Sequence, residues 1–270
     1  MALPVSEPLR RSPLPFFAIV FGTTWLFQLP ALLVQHGIAE GPIERFLPLV
    51  VLGYFAPTIA AFALSSGALG GDGVRALLRP FARWRVGVGW YVVALALPGT
   101  IFVAATALAR LTPWAGFDRW FYPPREPAQI ASLMIIPFTE QIAWRGFAYP
   151  RVERVLGPAK ASVLVGALWA MFHLQKQALL GPGIRLDVAA ALFALMSAGF
   201  VVFTWICRRT GGSMLLVVVA HMGVFLDNPS QALPRTCAPL AVDAAGFVVV
   251  ATALLLFDRA TFREPARASP

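Results

Sequence analysis

Eight stretches of this chain run without a charged side chain: Phe16 to Val34, Phe46 to Leu69, Val86 to Ala109, Pro127 to Thr139, Ala161 to Gln175, Val188 to Cys207, Ser213 to Leu226 and Ala244 to Phe257. A soluble domain has little use for so many. Each is long enough, or nearly so, to cross a hydrocarbon layer about 30 Å thick as a helix of ~20 residues, the fourth and seventh being short. Inside lipid a backbone must satisfy its own N–H and C=O groups, which helices and closed barrels alone achieve. Composition agrees, with 58% hydrophobic and only 13% charged residues and a mean hydropathy of +0.71, against about 25% charged residues in ordinary globular domains. The expected fold is therefore all-α, a polytopic transmembrane bundle of about eight helices.

The arginines orient it. One alternate set of loops holds Arg10 and Arg11, Arg75 to Arg85, Arg145 to Lys160, Arg208 and Arg209, and Arg259 to Arg267; the other set holds only scattered residues such as Arg45, Arg119, Arg125, Lys176, Arg185 and Arg235. Short loops rich in Lys and Arg stay cytoplasmic, so both termini are expected inside, in a bacterial-type cytoplasmic membrane. Residues 1–15 then form a cytoplasmic tail, 16–258 one helical domain with its functional core at about 127–228, and 259–270 a second tail. The apolar run from Phe16 exceeds an ordinary signal-peptide core and no Ala-x-Ala site follows, which predicts a retained first helix. The net charge of +9 points to anionic lipid at the inner leaflet rather than nucleic acid, because the basic residues sit in short loops between spans. Cys207 and Cys237 fall at opposite faces on this topology and form no disulfide or thiolate metal motif.

Ionisable groups inside the spans carry the chemistry, since a charge in hydrocarbon is costly and marks a function or a partner. There are three: Glu140 at the end of the fourth run, His173 in the fifth and His221 in the seventh. At about 1.5 Å per residue Glu140 lies roughly 8 Å inward of Arg145 and His221 roughly 12 Å inward of Ser213, whereas His173 lies roughly 20 Å from Lys160 and meets them only if its helix is shifted or tilted. Together they suit two arrangements. In one, a glutamate and a histidine share a water and take its proton, with the second imidazole stabilising an oxyanion. In the other, Glu140, His173 and His221 hold a zinc ion with one position open for water. Both end in hydrolysis of an acyl bond.

The three stretches Glu140-Gln141-Ile142-Ala143-Trp144-Arg145, Trp169-Ala170-Met171-Phe172-His173 and His221-Met222-Gly223-Val224-Phe225 resemble the signature of the CAAX-protease and bacteriocin-processing (CPBP, or Abi) intramembrane proteases, which include the CAAX prenyl endopeptidases. That signature reads Glu-Glu-x-x-x-Arg, Phe-x-x-x-His and His-x-x-x-Asn on three helices. Gly53-Tyr54-Phe55-Ala56-Pro57 and the segment from Leu77-Leu78-Arg79-Pro80 to Trp90-Tyr91 extend the likeness over about Gly53 to Asn228. The resemblance implies that Glu140 activates water with His173 and that His221 helps form the oxyanion site. It implies a peptide or membrane-anchored protein as substrate. The chain departs from the signature at Gln141 (second glutamate), Trp169 (aromatic) and Phe225 (asparagine). Asn228, seven residues after His221, falls on the same helical face and is a candidate replacement for the missing amide.

Competing readings attach to the same residues. Glu140 paired with Arg145 or Arg151 would be an interfacial ion pair, and either histidine alone would be a neutral group bonded between helices. Arg145 is expected to snorkel toward the interface and orient the glutamate or the helix end. His36 reads as interfacial, and Lys176 needs no special role. At the level of the whole chain, an intramembrane endopeptidase competes with a catalytically impaired relative acting as a membrane binding partner or chaperone. A small-solute transporter is disfavoured by the lack of inverted halves or paired broken helices.

Overall fold

A computed structural model describes residues 12–111, 126–181, 183–227 and 238–263. Among them all regular structure is helical. The helices are α1 (Leu14–Gln35), α2 (Leu47–Leu78), α3 (Val88–Ala109), α4 (Pro127–Glu140), a π-helical segment (Gln141–Ala148), α5 (Tyr149–Leu156), α6 (Pro158–Leu180), α7 (Leu186–Arg209), α8 (Met214–Asp227), α9 (Ala238–Phe257) and α10 (Arg259–Arg263), with single 3₁₀ turns before and after α2. Every charge-free run falls on one of them. The all-α expectation holds.

Five of these helices have the length and apolar composition to cross a membrane: those at Leu14–Gln35, Ile43–Ala82, Val88–Ala109, Leu186–Arg209 and Leu240–Phe257. The runs expected as spans four, five and seven lie on α4, α6 and α8. Of these, α4 and α8 are too short and α6 too polar to stand in that group, since α6 carries Lys160, His173, Gln175, Lys176 and Gln177. These three helices also carry Glu140, His173 and His221, so polarity is concentrated where the candidate chemistry lies.

The basic loops meet at one end of the bundle. Arg83 donates to the carbonyl of Gly211, and Ser213 Oγ donates to the carbonyl of Arg83 at 2.6 Å. Arg208 pairs with Glu153 of α5 at 2.7 Å and donates to the carbonyl of Thr261 of α10. Asp258 receives Arg209 at 2.6 Å and the Trp205 indole at 2.8 Å. The ends of α2, α5, α7 and α9 are thereby tied together, while the far end joins His36 to the carbonyl of Ala178 at 3.0 Å. The basic residues after α2 and at the end of α7 thus lie together with the chain that follows α9.

Packing is apolar inside and apolar outside. One core gathers α3, α7, α8 and α9 around Phe203, Ile206 and Phe247; a second gathers α1, α2, the π segment and α6 around Phe16, Trp144, Phe172 and Phe200. Large apolar side chains such as Val88, Leu108, Met134 and Phe257 remain exposed around the bundle, as a lipid-facing surface requires. Two glycines permit the arrangement. Gly157 takes φ +75° between α5 and α6, a left-handed turn that a Cβ would strain. A Cβ on Gly166 would lie 2.6 Å from the Ser197 Cα, so α6 and α7 approach this closely only because that position has no side chain.

Candidate active site

The π segment begins at the residue after Glu140. Pro137 lies four residues upstream, inside α4, and a proline there removes an i→i−4 bond and crowds the preceding turn. The widened turn that follows is the kind of local distortion found at functional sites. Thr58 of α2 donates to the carbonyl of Thr139 at 2.8 Å, which ties the α4 terminus to α2 directly beside Glu140.

Glu140, His173 and His221 converge. His173 Nε2 lies 3.6 Å from Glu140 Oε1 and His221 Nε2 lies 3.7 Å from Glu140 Oε2. Each imidazole thus faces a different oxygen of one carboxylate. Side-chain exposure is 13% for Glu140, 20% for His173 and 6% for His221, so access to the cluster is from the His173 side. Between Glu140 and His173 the depth discrepancy that the sequence leaves disappears for a physical reason. Arg145 does not mark the helix end: the helical path continues through the π segment and α5 to Leu156, which puts Glu140 as many residues from that end as His173 lies from Gly157 at the start of α6, and so level with it.

Arg145 is accordingly a correction. Rather than snorkelling, it is 2% exposed and anchored on three sides: Nε donates to Gln141 Oε1 at 3.2 Å, one terminal nitrogen to Thr204 Oγ1 at 2.8 Å and the other to the carbonyl of Phe200 at 3.1 Å. Its guanidinium also lies 3.8 Å from the centre of the Phe200 ring. A buried cation persists only with such a complete set of partners. Ser162 of α6 joins through Thr204 at 2.8 Å. Arg145 therefore orients Gln141 rather than Glu140, and Gln141 Nε2 in turn lies 3.2 Å from His221 Nδ1. Arg151, the other candidate partner for Glu140, donates to the carbonyl of Phe147 at 2.6 Å.

His173 is held differently, by its own helix: its Nδ1 lies 2.9 Å from the carbonyl oxygen of Trp169, one turn earlier. The Trp169 ring, buried at 4% exposure, stands edge-on to both imidazoles, with centroids 5.6 Å from His173 and 5.2 Å from His221. Asn228 and the side chain of Phe225 lie outside the described residues, as does Cys237.

Several contributing residues escape a motif reading. Thr204 and Phe200 complete the Arg145 cage; Thr204 is, with Ser197, one of two hydroxyls in the run from Val188 to Cys207, a signal available in the sequence. Lys176, one turn beyond His173, and Tyr54 of α2 both lie within Coulombic reach of Glu140.

Two comparisons bear on this geometry. The model of the family "Type II CAAX prenyl endopeptidase Rce1-like" matches residues 127–225. The chain is also similar to CAAX prenyl protease 2 of Methanococcus maripaludis, with 25% identity over 141 residues that make up 49% of this chain and 50% of the relative. The chain therefore spans about half the length of the curated relative it matches. Over residues 127–225, the segment that supplies all three converging side chains, the protein matches the Rce1-like family of type II CAAX prenyl endopeptidases, the likeness its motifs announce.

Proposed function

We propose that the protein is an intramembrane endopeptidase that hydrolyses a peptide bond of a membrane-associated or prenylated protein or peptide. The observation that carries the reading is one carboxylate with a separate imidazole on each of its oxygens, at 3.6 and 3.7 Å. A water about 2.8 Å from both Glu140 Oε1 and His173 Nε2 fits this spacing as a doubly held nucleophile. Glu140 takes the proton as the water oxygen adds to the carbonyl carbon, and the carbonyl oxygen gains the charge that His221 offsets. When the C–N bond breaks, the proton passes from Glu140 to the leaving amine, leaving one carboxylate product and one amine product. The basic end of the bundle faces the cytoplasm and its anionic lipid in this reading.

The rival, an impaired relative serving as a binding partner, draws on Gln141 and Phe225. Gln141 sits in a closed chain of hydrogen bonds from Arg145 to His221, which supports an integrated role for it rather than a lesion. The test is cleavage of a prenylated peptide and of a general peptide library by purified protein, with and without a strong chelator. Activity lost in Glu140→Ala and retained in chelator supports the glutamate-type enzyme. Binding without cleavage by the wild-type protein overturns it in favour of the rival.

A further inference from the structure

We propose that Gln141 fixes the tautomer of His221, so that the two imidazoles flanking Glu140 carry opposite protonation at the atoms facing it: a proton on His221 Nε2, a bare lone pair on His173 Nε2. The inference deepens the endopeptidase reading and rests on it for its catalytic meaning.

Arg145 fixes the donors and acceptors of the groups around it. A guanidinium has only donors. Arg145 Nε reaches Gln141 at 3.2 Å, so the atom it meets must be the amide oxygen. Arg145 has no room to turn away, being bound at Thr204 and Phe200 and stacked on the Phe200 ring. The other end of the amide, its NH₂ group, must then face His221 Nδ1, 3.2 Å away. An NH₂ group of an amide only donates. Nδ1 therefore accepts, which makes the ring neutral and places its proton on Nε2, pointed toward Glu140 Oε2 and the space beside it. His173 has the reverse arrangement. Its Nδ1 faces a carbonyl oxygen at 2.9 Å, an atom that only accepts, so Nδ1 carries the proton, and the lone pair that the proposal gives this ring lies at Nε2. One imidazole is set to accept a hydrogen bond from the water whose other proton goes to Glu140, and the other to donate to a carbonyl oxygen.

The same pattern tests the zinc alternative. Distances of 3.6 and 3.7 Å between candidate ligand atoms are near the ~3.3 Å edge of a tetrahedron with bonds of 2.0–2.1 Å. Chemistry decides against it: for His221 to ligate through Nε2, its proton must move to Nδ1 and confront the Gln141 NH₂, and rotating that amide would set the NH₂ against Arg145. The residues present do not fit a three-ligand zinc site. A carboxylate at position 141 would remove the conflict, because it accepts from both Arg145 and a protonated Nδ1.

The experiment is ¹⁵N NMR of the imidazole rings in histidine-labelled protein in nanodiscs near neutral pH, for which the chain has only three histidines to assign. The wild type is expected to show a pyridine-type Nδ1 and pyrrole-type Nε2 for His221, and a pyrrole-type Nδ1 with a pyridine-type Nε2 for His173. Gln141→Glu should turn His221 Nδ1 pyrrole-type while His173 keeps its pattern. A protonated His221 Nδ1 in the wild type overturns the proposal, as does a bare Nδ1 in Gln141→Glu. If that variant does not assemble, the wild-type spectrum still decides. The readout needs no catalysis, so cleavage that survives Glu140→Ala would remove the endopeptidase reading and leave the tautomers standing, whereas a wrong tautomer beside normal cleavage would do the opposite.

Discussion

The two histidines of the site reach the same carboxylate by unlike means. His173 is steadied within one turn of α6, by the backbone carbonyl of Trp169. His221 depends on side chains of three other elements: Gln141 and Arg145 in the π segment, Thr204 on α7 and, behind it, Ser162 on α6. A backbone carbonyl is present whatever the sequence of the helix. A relay of side chains exists only if the helices pack in one register. The half of the site facing His173 is therefore robust to substitution, while the half facing His221 is as strong as its weakest partner.

The comparison is tested most severely at the carboxylate the halves share. Glu140→Ala removes the general base from both, and peptide cleavage is expected to fall by about 10²–10⁴ or to background. The next largest effect separates the halves. Arg145→Met retains volume but leaves Gln141 Oε1, Thr204 and the Phe200 carbonyl without their buried donor, a loss of about 2–4 kcal/mol measured by denaturant or thermal unfolding in detergent. Loss of order should appear in His221 ring signals and not in those of His173. Equal disturbance of both rings would show that the two histidines are held alike.

Smaller changes sharpen it. Thr204→Val removes one of three anchors of Arg145 and is expected to cost about 1–2 kcal/mol, with cleavage reduced but measurable. Trp169→Phe keeps the backbone carbonyl that holds His173 and most of the edge-on packing, so about 1 kcal/mol or less is expected, with His173 Nδ1 still protonated by ¹⁵N NMR. At the far end of the scale Arg208→Ala disrupts the pair with Glu153 at the basic end. It should lower stability modestly while leaving both imidazole patterns intact.

Much of this was legible beforehand because lipid leaves few choices. Charge-free runs mark helices to within a few residues, as for Val86 to Ala109 against α3 at Val88–Ala109. The long second run ends at Leu69, where α2 kinks through Leu69 and Gly70. The identities of Glu140, His173 and His221 were equally plain, since ionisable groups in such runs are few. Arg145 defeats a reading of helix ends from charge, because a charge that finds a complete set of partners no longer marks an interface. The π segment left no periodic signature over its short length, and its consequence for depth went unseen with it.

By itself the sequence determined that the chain is helical, where its apolar segments lie, and which three side chains are chemically out of place in them. These follow from local rules: backbone satisfaction, hydrophobic length and the cost of buried charge. Only the tertiary structure decided that Arg145 turns inward to Gln141, that α5 prolongs the fourth helix so Glu140 and His173 lie level, and that each imidazole meets its own carboxylate oxygen. Those outcomes rest on contacts between residues dozens of positions apart, such as Arg145 with Thr204 and Gln141 with His221, and their energies depend on helix register, which no local pattern encodes.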